Sequence, residues 1–306
     1  VAIDETARAA RTEWAVAAAR AVAEEYGVVA DTPVVLHDLF SVVVHLAPAP
    51  VVMRIPTVLP PSRQADPTRT LAERRAELAV SFALRELDFP TTGPSPLLPA
   101  VPFERDGLVM TAWEYLETVP VVELDDPAGY VADLHTALRA VEVDLPFLVF
   151  WDDWMTEMLD LLAAHPELVG PDDLAVARRE HARIDAVFGS PERFAAAFPH
   201  AALQPVHGDA PTHNVLMTTD GPVVTDLEHA CLGPVEWDLA LTGLAADYDQ
   251  ATVLRGGRPT DRELLALCES ARWLQVVCCL GLADEAPAEL VDGILPLVAT
   301  WRDQVG

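Results

Sequence analysis

The run Val206-His207-Gly208-Asp209-Ala210-Pro211-Thr212-His213-Asn214-Val215-Leu216 is followed closely by Val223-Val224-Thr225-Asp226-Leu227-Glu228. It sets a carboxylate at Asp209, an amide five residues on at Asn214, and a second carboxylate at Asp226 beyond a short apolar strand. Magnesium-assisted phosphoryl transfer uses such a set: one Asp accepts a hydroxyl proton, while an Asn and another Asp hold metal on nucleotide phosphates. A lone His-Gly-Asp carries little information; the compound spacing is demanding. A metal-dependent hydrolase could draw on the same oxygens, but such sites usually collect more His or carboxylate ligands than this loop offers.

These residues resemble the catalytic and metal loops of the aminoglycoside phosphotransferase family, relatives of the protein kinases that phosphorylate small molecules. The resemblance implies Asp209 as catalytic base, Asn214 and Asp226 as magnesium ligands, and His207 as a buried support for the loop. It extends to Gly233-Pro234-Val235-Glu236-Trp237-Asp238-Leu239-Ala240, where the Asp of the Trp-Asp-Leu-Ala stretch anchors the catalytic loop's backbone. The likeness runs from about Val34 to the C-terminus and is more specific in the C-terminal half. It implies a protein-kinase-like α+β fold with a small strand-rich N-lobe and a larger, mainly helical C-lobe. The nucleotide would be ATP, with GTP as the variant, carried with Mg2+.

The elements that must position this loop are legible upstream. Ala7 to Tyr26 reads as a helix, with Trp14, Ala17, Ala18, Ala21 and Val22 at helical spacing, Asp4 as a cap and Gly27 as a stop. It lies outside the kinase-like core and is expected to pack on the N-lobe. Val34-Val35-Leu36, Ser41 to Leu46 and Val51 to Ile55 read as strands, the last two a hairpin closed by Ala47-Pro48-Ala49-Pro50. By resemblance, the turn His37-Asp38-Leu39-Phe40-Ser41 covers the phosphates. It has no glycine, so contact falls to backbone N–H groups and Ser41.

Arg54 stands where the kinase pattern has its phosphate-pairing lysine. A guanidinium keeps the charge and offers a fork for phosphate oxygens, but it is wider and reaches differently. Thr70 to Leu87 reads as a helix with Leu71, Leu78, Phe82 and Leu84 apolar. On it Glu77 is in register to orient that cation, with Glu73 one turn away as the alternative. A Pro-rich connector, residues 90–102, leads to a strand from Leu108 to Trp113. The hinge follows by resemblance, with the nucleobase bonding backbone groups near Glu114, Tyr115 and Leu116. Beyond Thr118 the pattern is helical over residues 129–141, 151–164, 172–188, 262–282 and 287–305. The expected organisation is residues 1–30 as a helical extension, 31–117 as the N-lobe and 118–306 as the C-lobe.

Composition sets bounds. The 306 residues, 51% of them apolar, are enough for two lobes sharing a cleft. The formal charge is −28, and all 20 basic residues are arginine. A polyanion such as nucleic acid would be repelled. Between Arg193 and Arg255 there is neither lysine nor arginine but a series of acids, a field that would gather cations. No apolar run approaches the ~18 residues needed to span a bilayer, and the first residues lack a secretory core, so the expectation is a cytoplasmic protein without a membrane partner. Cys231, Cys268, Cys278 and Cys279 show neither zinc spacing nor a redox pair and read as buried thiols.

The partner expected is a small-molecule acceptor, cationic if the acidic field recognises it: an aminoglycoside, where antibiotic resistance would follow, or another amino sugar or amino alcohol. Candidate recognition residues are Glu236, Asp247, Asp249, Glu269, Trp273, Asp284 and Glu285, each of which reads equally well as exposed surface. His213, Glu228 and His229 lie in the loops without a role that spacing assigns. Monomer and homodimer both fit the sequence. The rival reading is a pseudokinase-like module that binds nucleotide or metabolite without turnover, motivated by Arg54 and the glycine-free turn.

Overall fold

The computed structural model describes residues 2–120, 123–151 and 153–305. An N-terminal helix, α1 (Glu5–Glu25), precedes strands β1 (Val34–Asp38), β2 (Ser41–His45) and β3 (Val51–Pro56). Helices α2 (Pro61–Ala65) and α3 (Thr68–Glu86) and strands β4 (Phe103–Arg105) and β5 (Leu108–Glu114) complete the smaller lobe. The five strands form an antiparallel sheet ordered β1-β2-β3-β5-β4. Strand alternation decides its two faces. Val42, Val44, Val51, Met53 and Ile55 are fully buried in a core shared with α1, whereas Val43, His45, Val52 and Arg54 are half-buried on the opposite face.

The sequence places α1 correctly but turns its face. Asp4 caps it, accepting from the Ala7 N–H at 2.8 Å, and Gly27 follows it with φ +72°. The buried stripe, however, is Ala15, Ala18, Ala19, Val22 and Ala23, and Trp14 is 46% exposed. Small residues win because α1 lies close on the sheet, where an indole would not fit. In α3 the same correction applies: Phe82 is exposed, and the buried side carries Thr70, Arg74 and Glu77 beside Leu78, Val80 and Leu84.

The larger lobe contains α4 (Pro127–Leu138), α5 (Asp153–Leu162), α6 (Pro171–Phe188) and α7 (Pro191–Ala197), then β6 (Gln204–Val206), β7 (Val215–Thr218), β8 (Gly221–Val224) and β9 (Cys231–Gly233). It ends with α8 (Val235–Leu239), α9 (Ala245–Leu254), α10 (Arg262–Cys278), α11 (Ala288–Ile294) and α12 (Leu297–Val305). Strand β4 and helices α2, α7, α8 and α9 are additional to the sequence expectation, and the single helix expected over 287–305 is two. One core gathers α5, α6, α10 and α12 around Trp237, Phe188 and Trp301. Two short antiparallel pairs, β6 with β9 and β7 with β8, carry the motif residues on the cleft side of that core.

Residues Arg262–Leu282, the run expected to be helical, hold a window of mean hydropathy 1.4, more apolar than the sequence reading allowed. More than half of that window, 56%, is buried inside the lobe, as befits a core helix. The four cysteines are free thiols, three buried and Cys279 half-buried.

The face of α1 is testable. Ala19→Leu should overpack the sheet and cost about 1–3 kcal/mol, whereas Trp14→Ala should stay within about 0.5 kcal/mol. Urea unfolding of the two variants checks the order.

Candidate functional site

The motif folds as a loop between β6 and β7 and a turn after β8. Gly208 has φ +85°, and a Cβ there would stand 1.7 Å from the carbonyl oxygen of His229, so the chain passes here only as glycine. Asp238 in α8 holds this bend: its carboxylate accepts from the N–H groups of His207 and Gly208, each at 2.8 Å. His135 in α4 shares Asp238 at 2.9 Å, and its other ring nitrogen lies 2.8 Å from the Tyr248 hydroxyl. Arg272 in α10 donates to the Gly208 carbonyl at 2.9 Å and to Gln275 at 2.8 Å, with its guanidinium 4.8 Å above the Trp237 ring. His207 is fully buried, its Nε2 3.0 Å from the Thr225 carbonyl, and so ties the loop to the turn that carries Asp226.

Asp209 emerges from this frame with its side chain 44% exposed toward the cleft. Desolvation raises its carboxyl, but Arg272, 3.6 Å away, contributes the leading opposing charge, and the group rests at about 2. Asn214 lies beside it: the side-chain amide is 3.4 Å from Asp209 Oδ2 and donates to the Ala210 carbonyl at 3.2 Å. Asp226 sits where β8 turns, with φ +61°, a left-handed conformation that Asp tolerates better than most side chains.

The N-lobe meets this turn through charge. Arg54 from β3 donates both Nη atoms to the Glu228 carboxylate, each at 2.5 Å, and stands 2.9 Å from Asp226 and 3.8 Å from Glu77. Arg74 from α3 is buried, 2.5 Å from Glu228 and 3.2 Å from Glu77. The two guanidiniums therefore serve three carboxylates. Burial raises all three acids; Arg54 and Arg74 pull Glu228 well below the ordinary carboxylate range, while Glu77 stands at about 7 and Asp226 at about 6. Glu73 is elsewhere, paired with Arg63 at 3.2 Å and Arg69 at 3.4 Å, so that of the two acids of α3 it is Glu77 that neighbours Arg54.

A cavity of about 510 Å³ joins the lobes here, lined by Ser41 and Arg54 above and by Asp209, Asp226 and Glu228 below. Glu77 lies behind Arg54. The hinge residues stand apart: Glu114 and Leu116 border a separate hollow of about 270 Å³, and Tyr115 stacks on His45 with ring centroids 3.8 Å apart. The Glu114 N–H donates to Gly93 O at 2.9 Å and the Tyr115 N–H to Pro50 O at 3.1 Å, so those two donors are engaged within the protein.

Among the described residues no three His, Cys, Asp or Glu side chains converge as a metal cage. Magnesium, however, keeps to one or two carboxylates plus substrate phosphates, and hard oxygens from Asp226 and Asn214 suit it. Asp226 Oδ1 is buried without a hydrogen bond of good geometry, and the three acids against two arginines leave a negative surplus for a cation to balance.

None of the seven acceptor candidates from the sequence lines this cavity. Glu236 is buried and accepts from the Asp261 N–H at 2.7 Å, Asp249 accepts from the Thr260 N–H at 2.7 Å, and Glu285 accepts from Gln64 at 2.7 Å. Asp247 and Asp284 are exposed, and Glu269 and Trp273 are half-buried. Sequence reasoning missed Arg74, Arg272, His135 and Tyr248. The one signal was indirect: Arg54 and Glu228 depart together from the kinase pattern, and an added acid calls for added cations.

The Phosphotransferase enzyme family model matches residues 42–260. No curated protein matches the chain. Solved structures share the fold: a choline kinase from Streptococcus pneumoniae has a TM-score of 0.61 at 12% identity, with 92% of this chain and 98% of that one covered. A microcompartment-associated aminopropanol kinase gives 0.60 at 16%, covering 94% and 95%. The GDP complex of wild-type aminoglycoside 2'-phosphotransferase-IIIa gives 0.57 at 15%, covering 94% and 98%. With its two-lobed kinase-like fold and a family match over most of its length, the chain belongs to the Phosphotransferase enzyme family.

Proposed function

We propose that the protein transfers the γ-phosphate of ATP or GTP to a hydroxyl of a small molecule in the cleft between Arg54 and Asp209. One observation carries this reading: Asp209, Asp226, Arg54 and Ser41, which come from distant parts of the chain, border a single cavity. Asp209, ionised and pointing into that cavity, would accept a hydrogen bond from the acceptor hydroxyl and aim its oxygen at the γ-phosphorus. Asn214 and Asp226 would hold magnesium, which, when bound, neutralises charge on the phosphate oxygens. Ser41 and the N–H groups of the β1–β2 turn would cover the phosphates. A nucleobase at the hinge would have the Leu116 N–H as its donor, since those of Glu114 and Tyr115 are spent. A GDP complex among the structural neighbours keeps GTP beside ATP as donor.

Arg54 has a double role in this account. Its fork is filled by Glu228, so a triphosphate must approach the outer edge of the guanidinium or share it with that acid. The same contact favours, as a second reading, a protein that binds nucleotide without turnover.

Asp209→Asn should lower acceptor-dependent nucleoside diphosphate release by about 100- to 10,000-fold and leave nucleotide affinity nearly unchanged. Asp226→Ala should weaken magnesium-dependent nucleotide binding as well, measured by calorimetry with and without EDTA. Binding without diphosphate release on any acceptor would leave the second reading standing. Asp238→Ala strips two backbone N–H groups of their acceptor, and a shift of the loop by about 1 Å should cost on the order of 100-fold in kcat. Circular dichroism on the same sample separates that loss from unfolding.

A further inference from the structure

Beyond Asp209 the cavity carries a group of apolar C-lobe side chains, Trp154, Leu241, Val276, Leu282 and Ile294, faced by Val58 from the segment after β3, with His213, Thr242 and Gln275 as polar neighbours. Its charged lining is balanced. Four arginines, Arg54, Arg63, Arg74 and Arg272, face four carboxylates, Glu73, Asp209, Asp226 and Glu228. Each of those carboxylates already has a guanidinium within 3.6 Å or less. The surplus acid of the Arg54–Arg74 cluster is Glu77, which lies behind Arg54 and does not line the cavity, and that surplus falls beside Asp226 where the metal would sit. An ammonium placed beyond Asp209 would lose its water with no carboxylate free of an arginine to replace it, which is costly, whereas an apolar body would displace water from apolar walls at a gain.

Leu241 adds an independent observation. It follows α8 at the position where helices commonly end on a left-handed glycine, and its φ is +63°. A leucine there carries steric strain, and its side chain is 40% exposed while it lines the cavity. Neither backbone preference nor core packing accounts for it.

We propose that the acceptor is an uncharged alcohol on an apolar body, recognised by this wall and by Leu241 in particular, and not a polyamine. The proposal rests on the phosphotransferase reading above and narrows its substrate class. In the reaction the acceptor oxygen bonds to the γ-phosphorus as the bond from phosphorus to the diphosphate oxygen breaks. The hydroxyl proton passes to Asp209 and then to solvent, leaving a phosphate monoester and a nucleoside diphosphate.

The test uses a matched pair, trans-4-methylcyclohexanol and trans-4-aminocyclohexanol, which share shape and hydroxyl and differ by a methyl against an ammonium. Ligand-observed NMR titrations of the full chain, with magnesium and ADP present, should give the methyl compound at least tenfold tighter binding. Leu241→Glu should reverse the order. Leu241→Gly should weaken binding of the methyl compound yet hold or raise the unfolding midpoint, which a merely structural leucine would not do. No binding of the methyl compound, or equal or tighter binding of the amine or of kanamycin, overturns the proposal. Failure of the phosphotransferase reading would show separately, as absence of magnesium-dependent hydrolysis and of binding with both ATP and GTP for the unaltered protein.

Discussion

Two buried arginines facing three acids hold the cleft in shape. Arg54 and Arg74 come from the N-lobe, Asp226 and Glu228 from the C-lobe, and Glu77 closes the set from α3. Charges removed from water are tolerated only when paired and hydrogen-bonded, so each member fixes the others. The consequence is a fixed distance between the β3 strand that would steer phosphates and the turn that would hold metal. Deleting one member would leave the rest uncompensated, which makes this cluster a determinant of lobe geometry as much as of chemistry.

Below it, a second polar centre does for the catalytic loop what the arginines do for the cleft. Asp238 receives two backbone donors from the bend at Gly208, and His135 and Tyr248 complete its hydrogen bonds. Arg272 takes the Gly208 carbonyl from the other side and lies close to Asp209. The aspartate proposed to face the acceptor is therefore placed by groups from α4, α8, α9 and α10, while its own side chain stays open to the cleft. The α1 helix contributes at long range: Arg8, Arg11 and Thr12 hold Asp38 at the β1–β2 turn, and Arg11 also donates to the Glu285 carbonyl, so the turn is tied to the C-lobe.

What was legible in the sequence is what is local. Asp209, Asn214 and Asp226 lie within one loop and one hairpin, so spacing alone brings them near each other, and the kinase-like order of strands and helices follows from period and punctuation. Pairings across the fold left little trace. Arg74 reads as one more helix arginine until Glu228 is seen to need it, and Arg272 as an interruption of an apolar helix until it meets Gly208. The face of α1 was misjudged because a run of alanines gives weak periodicity, and close packing, not hydrophobicity, chose the side. Most acids of the stretch from Asp209 to Asp249 are engaged by caps, loops and arginines, which the sequence alone does not display. Composition counts charges without seeing their partners.

The central claim is that Asn214 and Asp226 hold a metal on a triphosphate whose terminal phosphorus faces Asp209. A crystal structure with Mn2+ and a non-hydrolysable triphosphate, the metal located by its anomalous signal, tests this most directly. The account predicts the ion within about 2.0–2.3 Å of a side-chain oxygen of each of Asn214 and Asp226, with the γ-phosphate between it and Asp209. A metal bound away from both residues, or a triphosphate lying outside the cavity between Arg54 and Asp209, would contradict it.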